Sequence, residues 1–342
     1  MITNFEEEVT LKRKTLKNNI KSSFGKCSKV LLILGILTQC IGVITVLAIK
    51  YRAEIMHFSM NINNNTGKAF GISIDLYNFL ISYMPCIVGE TIAIFIGLKI
   101  TRIHIKKDLF CKNNSKAGFV GMACLACIGT GMVSSIIYIL YSSLLGVGGV
   151  TIPEPDFNMP SNNTFMLTVF LGYVCIIGPI LEEIIFRGII LKTMQKYGNF
   201  TAIITTSILF AMFHLNLVQF AQPILIGIIL GFVTVKSGSI IPAVLIHMFN
   251  NSVVFFMSEL LSNQNAVTLT ISMIYTFGGV IMLILFIKNY GLEFIKLSKE
   301  NTVLLKISEK IKIAFSSKWF LVYFLFYIFM VGTSVLYLNL TK

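Results

Sequence analysis

Residues 164–187 read TFMLTVFLGYVCIIGPILEEIIFR, an apolar run that carries Glu182, Glu183 and Arg187 near its end. About 20 such residues, rising about 1.5 Å each, cross a hydrocarbon core of roughly 30 Å as an α-helix. Working outward, further runs lie at 30–49, 76–98, 119–145, 201–217, 220–235, 239–260, 267–287 and 319–339. A transmembrane β-barrel would show alternating segments of about 10 residues, whereas these runs are continuous. The expected fold is all-α, a polytopic transmembrane helix bundle of nine spans. The number is eight if the fifth and sixth runs, parted by little more than Asn216 to Gln219, count as one.

Composition agrees. The 342 residues are 55% hydrophobic and 13% charged, with a mean hydropathy of +0.81. A soluble domain of this size would need about 25% charged residues to cover its surface. The net charge of +13 comes from 28 Lys and Arg against 15 Asp and Glu. Most of the basic residues fall between apolar runs, as the positive-inside rule requires, so nucleic acid is not an expected partner. With a cytoplasmic N-terminus, the inside loops are 99–118, 187–200, 236–238 and 288–318, and all carry lysine; the outside loops 146–163, 218–219 and 261–266 carry no Lys or Arg. The first run, preceded by a polar tail, reads as an uncleaved signal anchor.

The organisation expected is a basic cytoplasmic tail at 1–29, accessory helices at 30–163, a core at 164–260 and C-terminal spans at 261–342. The loop 288–318 sets Phe294, Ile295, Val303, Leu304, Ile307 and Ile311 among lysines, as in an amphipathic helix on an anionic leaflet. Gly227 and Gly231 form a small-xxx-small pair suited to close helix packing. Asn61 to Asn65 is a polar loop. Of the seven cysteines, Cys124 and Cys127 have metal-like spacing but no second pair beside them, and read as buried small side chains.

Ionisable groups within the spans carry the chemistry. An isolated charge at a helix centre costs about 2.5–3.5 kcal/mol on insertion scales. Glu183 and Arg187 stand at i, i+4 with the acid N-terminal, the favourable order for a helical ion pair. Glu182 then points about 100° away, and a carboxylate in a low-dielectric pocket serves as a general base. His214 can bond a water or that carboxylate. His247 and Asn251 share a face and suit a developing oxyanion; Asn250, next door, is off that register. Glu90 in the second run reads as a structural or gating residue.

Three ordered motifs, EExxxR (Glu182, Glu183, Arg187), FxxxH (Phe210, His214) and HxxxN (His247, Asn251), resemble the CPBP family. These are the CAAX-processing and bacteriocin-processing intramembrane endopeptidases, also called Abi or type II CAAX prenyl endopeptidase-like proteins. The resemblance covers about 164–256. It implies that Glu182 activates water with His214 assisting, and that His247 and Asn251 face the oxyanion. Glu183 and Arg187 would fix the helix geometry, with Phe210 shaping the pocket. The family has been described both as metalloprotease and as metal-free glutamate-type protease. No cofactor is required on the second view; on the first, Glu182, His214 and His247 would supply three ligands to Zn²⁺.

Expected partners are membrane lipids and a membrane-associated peptide or protein substrate, at a bacterial plasma membrane. Rival readings are a non-catalytic bacteriocin-immunity or binding scaffold and a proton-coupled transporter. One geometric mismatch stands: His214 lies some 14 residues into its run and His247 about 8 into its own, a difference of about 9 Å in depth. It closes if the fifth helix begins nearer Thr205, with 188–200 along the interface.

Overall fold

The structure, a computed structural model, describes residues 2–60, 62–63, 67–109, 115–155, 159–160, 163–262, 265–299 and 303–341. Each of the nine apolar runs is helical. The helices are α1 (Ile2–Ile55), α2 (Ile74–Thr101), α3 (Ala117–Val147), α4 (Thr164–Gln195) and α5 (Asn199–Phe213). They continue as α6 (Ala221–Ser237), α7 (Ile241–Ser262), α8 (Ala266–Leu297), the short α9 (Ile307–Phe315) and α10 (Lys318–Leu340).

Among the described residues, seven helices are long and apolar enough to cross a membrane. The exceptions among the nine runs are α5 and α6, with 15 and 17 residues. These rise only about 23 and 26 Å, short of a ~30 Å core. They survive because they pair in the interior, where glycine brings them close. A Cβ on Gly227 would lie 3.0 Å from Ser207 Cβ, and one on Gly231 3.2 Å from Ile203 Cγ2. The small-xxx-small pair thus forms the α5–α6 seam. Outward-facing apolar residues such as Phe277 on α8 and Phe329 on α10 are left exposed, as a lipid-facing surface should be.

Four boundaries differ from the sequence expectation. Residues 1–29 are no separate tail: α1 is continuous, and Ile20, Phe24 and Cys27 are fully buried. The Phe24 ring packs at 5.2 Å from Phe315 and 5.5 Å from Phe320, and Tyr197 bonds both Ser23 Oγ and the Asn19 carbonyl at 2.8 Å. Second, α4 runs on to Gln195, so the expected loop at 187–200 contracts to the turn 196–198, and α5 begins at Asn199 rather than near Thr205. Third, the amphipathic segment is confined to α9, because Phe294 belongs to α8, where it packs against Phe200 and Phe232. Fourth, the loop after α1 holds a small antiparallel sheet, β1 (Ile62–Asn63), β2 (Lys68–Ala69) and β3 (Ile72–Ser73). Asn61, Asn64, Asn65 and Cys111 lie outside the described residues.

Candidate active site

Helix α4 is not a uniform α-helix. It widens to π geometry at Tyr173–Ile177 and again at Ile184–Leu191. Pro179 explains the first: it has no N–H to give to the Cys175 carbonyl, which loosens the preceding turn. The second contains Arg187 and follows directly on Glu182 and Glu183. Wide turns of this kind re-aim side chains and recur at functional sites.

Glu183 and Arg187 are fully buried and form the expected ion pair, Nη1 to Oε1 at 2.8 Å. The same Oε1 lies 2.8 Å from His247 Nδ1 on α7, so one carboxylate oxygen ties two helices together. Arg187 is held on its other side by the Phe210 ring, 4.6 Å from the guanidinium to the ring centre. Phe210 lies edge-on to His214 at 5.3 Å and to His247 at 5.8 Å. It is 2% exposed and sits behind the site rather than in it.

Glu182, His214 and Asn251 line one cavity of about 850 Å³. His247 presents Nε2 toward Glu182 Oε2 at 3.7 Å, outside hydrogen-bond range. Glu182 Oε2 has no hydrogen-bond partner. Asn251 donates one amide hydrogen to the Val174 carbonyl at 3.1 Å, which leaves its second hydrogen for the cavity. Asn250 is 6% exposed and donates to Asn251 Oδ1 at 3.3 Å, so the i+4 register places Asn251 at the cavity, as expected.

His214 is not inside a span. It caps α5, and the chain turns at once, with Leu215 in the left-handed region at φ 52°, a costly conformation for a branched side chain. Asn216 stabilises the turn by donating to the His214 carbonyl at 2.9 Å and to Gln219 Oε1 at 2.8 Å, and by accepting from Gln219 N at 2.7 Å. Tyr141 donates to the Leu217 carbonyl. The depth mismatch is therefore closed differently from the expectation. Although α5 starts at Asn199, both imidazoles flank the Phe210 ring, and the start of α7 is tied by the Ile240 N–H to the Leu109 carbonyl at 3.2 Å.

Among the described residues, no group of three His, Cys, Asp or Glu side chains is placed to hold a metal ion. His247 turns Nδ1 to Glu183 and leaves Nε2 3.7 Å from Glu182 Oε2. Sequence reading missed that Glu183 bonds His247, and that Tyr173, Gln219 and the accessory residues Glu90 and Tyr323 line the cavity. Pro179 within an otherwise apolar helix was the available signal for the first wide turn.

Fold and site together define a multi-pass membrane protein with an acid–imidazole centre sunk between helices. Residues 164–253, the segment that holds all three motifs, match the family model of type II CAAX prenyl endopeptidase, Rce1-like. An uncharacterized 24.3 kDa protein of Escherichia coli is 32% identical over 99 residues, spanning 27% of this chain and 43% of that protein. The chain thus spans under half the length of this curated relative. No solved structure matches.

Proposed function

We propose that the chain is an intramembrane endopeptidase that hydrolyses a peptide bond of a membrane-associated peptide or protein. The observation that carries this reading is the convergence of three motifs from separate helices on one cavity: Glu182, His214 and Asn251 line it, with His247 directly behind Glu182. In this reading Glu182 takes a proton from a water lodged beside its unpartnered oxygen, and the water oxygen attacks the scissile carbonyl. The proton passes to the leaving amine as the C–N bond breaks, so atoms balance across hydrolysis. His214 steadies the water. The negative charge that develops on the carbonyl oxygen is met by the Asn251 amide and by His247 Nε2–H.

Glu183 and Arg187 are positioning residues: Arg187 balances Glu183, and Glu183 aims His247.

The test is N-terminal labelling of membrane proteins from cells expressing the wild type, E182A or H247A. New termini should appear with the wild type and be absent with both variants. The same termini in all three would overturn the protease reading, and proton-coupled solute flux in vesicles would then favour a transporter.

A further inference from the structure

The cavity beside Glu182 is walled on its other sides by helices outside the matched segment. α1 brings Leu31 to Leu47, α2 brings Ser82, Cys86 and Glu90, and α10 brings Tyr323, Met330 and Ser334. Among its described lining residues, Glu90 and Glu182 are the charged ones, and no Lys or Arg faces the space.

Helix contacts set Glu90 level with Glu182. The Tyr83 ring of α2 packs at 5.4 Å from Tyr173 of α4, and further along a Cβ on Gly97 would lie 2.9 Å from Ile189 Cδ1. The two contacts fall in the same chain order, so the helices run side by side in one direction. Glu90 is seven residues from both Tyr83 and Gly97, while Glu182 is nine from Tyr173 and seven from Ile189. α1 presses on α2 one residue earlier, where a Cβ on Gly89 would stand 2.6 Å from Thr38 Cγ2. Glu90 is thereby held 1% exposed, and its Oε2 has no hydrogen-bond partner.

Glu183 is answered by Arg187 and His247, but Glu90 has no such counterpart. Two carboxylates on one largely apolar cavity are relieved by a shared proton or by a cation placed between them, and the apolar walls beside Glu90 suit the second. A lysine or arginine side chain fits: its stem lies along apolar walls while its head brings several donors to the orphaned oxygen. Resting on the endopeptidase reading, we propose that Glu90 is a specificity-determining residue, the carboxylate of a subsite for a Lys or Arg side chain of the substrate near the scissile bond. A subsite built to bond a polar group also discriminates strongly against substrates that lack it.

The experiment uses the purified full chain in nanodiscs and a synthetic library of amphipathic peptides that differ at single positions, Lys, Arg or Glu against norleucine. Mass spectrometry reads the cleavage products. Wild type should cut the cationic peptides at least tenfold faster. E90Q should lose that preference, E90D should retain part of it, and E90K should shift it toward Glu. A preference unchanged in E90Q, or an equal loss on cationic and norleucine peptides, would overturn the proposal.

A binding arm separates this from failure of the protease reading. Fluorescence anisotropy on E182Q should show the Lys peptide bound about tenfold tighter than its norleucine counterpart, with the difference erased in E90Q/E182Q. Glu90-dependent binding with no cleavage by wild type would leave the cation subsite standing and remove the protease. No Lys preference in binding would remove the subsite.

Discussion

His247 Nδ1 and Glu183 Oε1 lie 2.8 Å apart, and that oxygen is the one that accepts Arg187 Nη1. The imidazole is therefore aimed from behind, and its aim depends on a fully buried ion pair. Removing one member of such a pair strands the other charge, at a cost of about 3–5 kcal/mol. R187M should lower the thermal midpoint of the detergent-solubilised protein sharply, and E183Q/R187M should recover much of the loss. Additive losses in the double variant, measured by size-exclusion after heating, would argue against coupling.

Asn251 is bound on one side to Val174 and open to the cavity on the other. Loss of one oxyanion donor costs about 10²–10³ in turnover. N251A should show that drop in kcat with little change in KM, read from steady-state cleavage of whichever peptide the labelling experiment yields. A variant that changed KM alone would place Asn251 in ground-state binding instead.

The α5–α6 seam gives a stability prediction with its own control. A valine at Gly227 must displace the Ser207 backbone, whose Cα would stand 3.1 Å from the added Cβ. Overpacking of this kind costs about 1–3 kcal/mol. Gly131 on α3 has nothing within 4 Å of the same position, so G131A should be neutral or slightly stabilising. G227V should melt earlier than wild type and G131A should not; equal midpoints for the two would refute the close seam.

Near the N-terminal end of α1, Arg13 Nη2 meets Glu309 Oε1 at 2.5 Å, and the Lys306 N–H reaches the other oxygen at 3.1 Å. The backbone bond first, and the guanidinium second, hold the Glu309 carboxyl below its usual value. A depressed carboxyl adds stability that is present above its unfolded value, about 4.3, and fades as pH falls through the folded one. Spin labels at Lys14 and Lys312 should give a narrow distance distribution at neutral pH that broadens as the pH falls below the usual carboxylate range. Because the pair is exposed, 0.5 M salt should broaden it too. A distribution indifferent to both would show that the Arg13–Glu309 pair does not hold α1 in place.

Much of the molecule was legible from sequence because lipid is an intolerant solvent. Long apolar runs announced the helices, and the few ionisable groups placed in those runs, Glu182, Glu183, Arg187, His214 and His247, stood out by their cost. What could not be read was set by partners distant in sequence. The junction of α1 with the lipid-crossing part is invisible locally, since Phe24 is buried only because Phe315 and Phe320 arrive nearly 300 residues later. Glu90 looked structural because its cavity exists only once α1, α2, α4 and α10 meet. The start of α7 is tied to Leu109 by a backbone bond, for which no residue type is a marker.

The shortness of α5 and α6 also bears on how the protein is made. Neither helix reaches across the hydrocarbon alone, and the polar turn between them needs protein partners such as Tyr141 before lipid can surround it. The hairpin must therefore settle after its neighbours have been released into the bilayer. His214, at its tip, joins Glu182 and Asn251 only in that last act of assembly. On the proposed reading, a half-integrated chain would hold two of the three cavity-lining motif residues and stay inert until its biogenesis is complete.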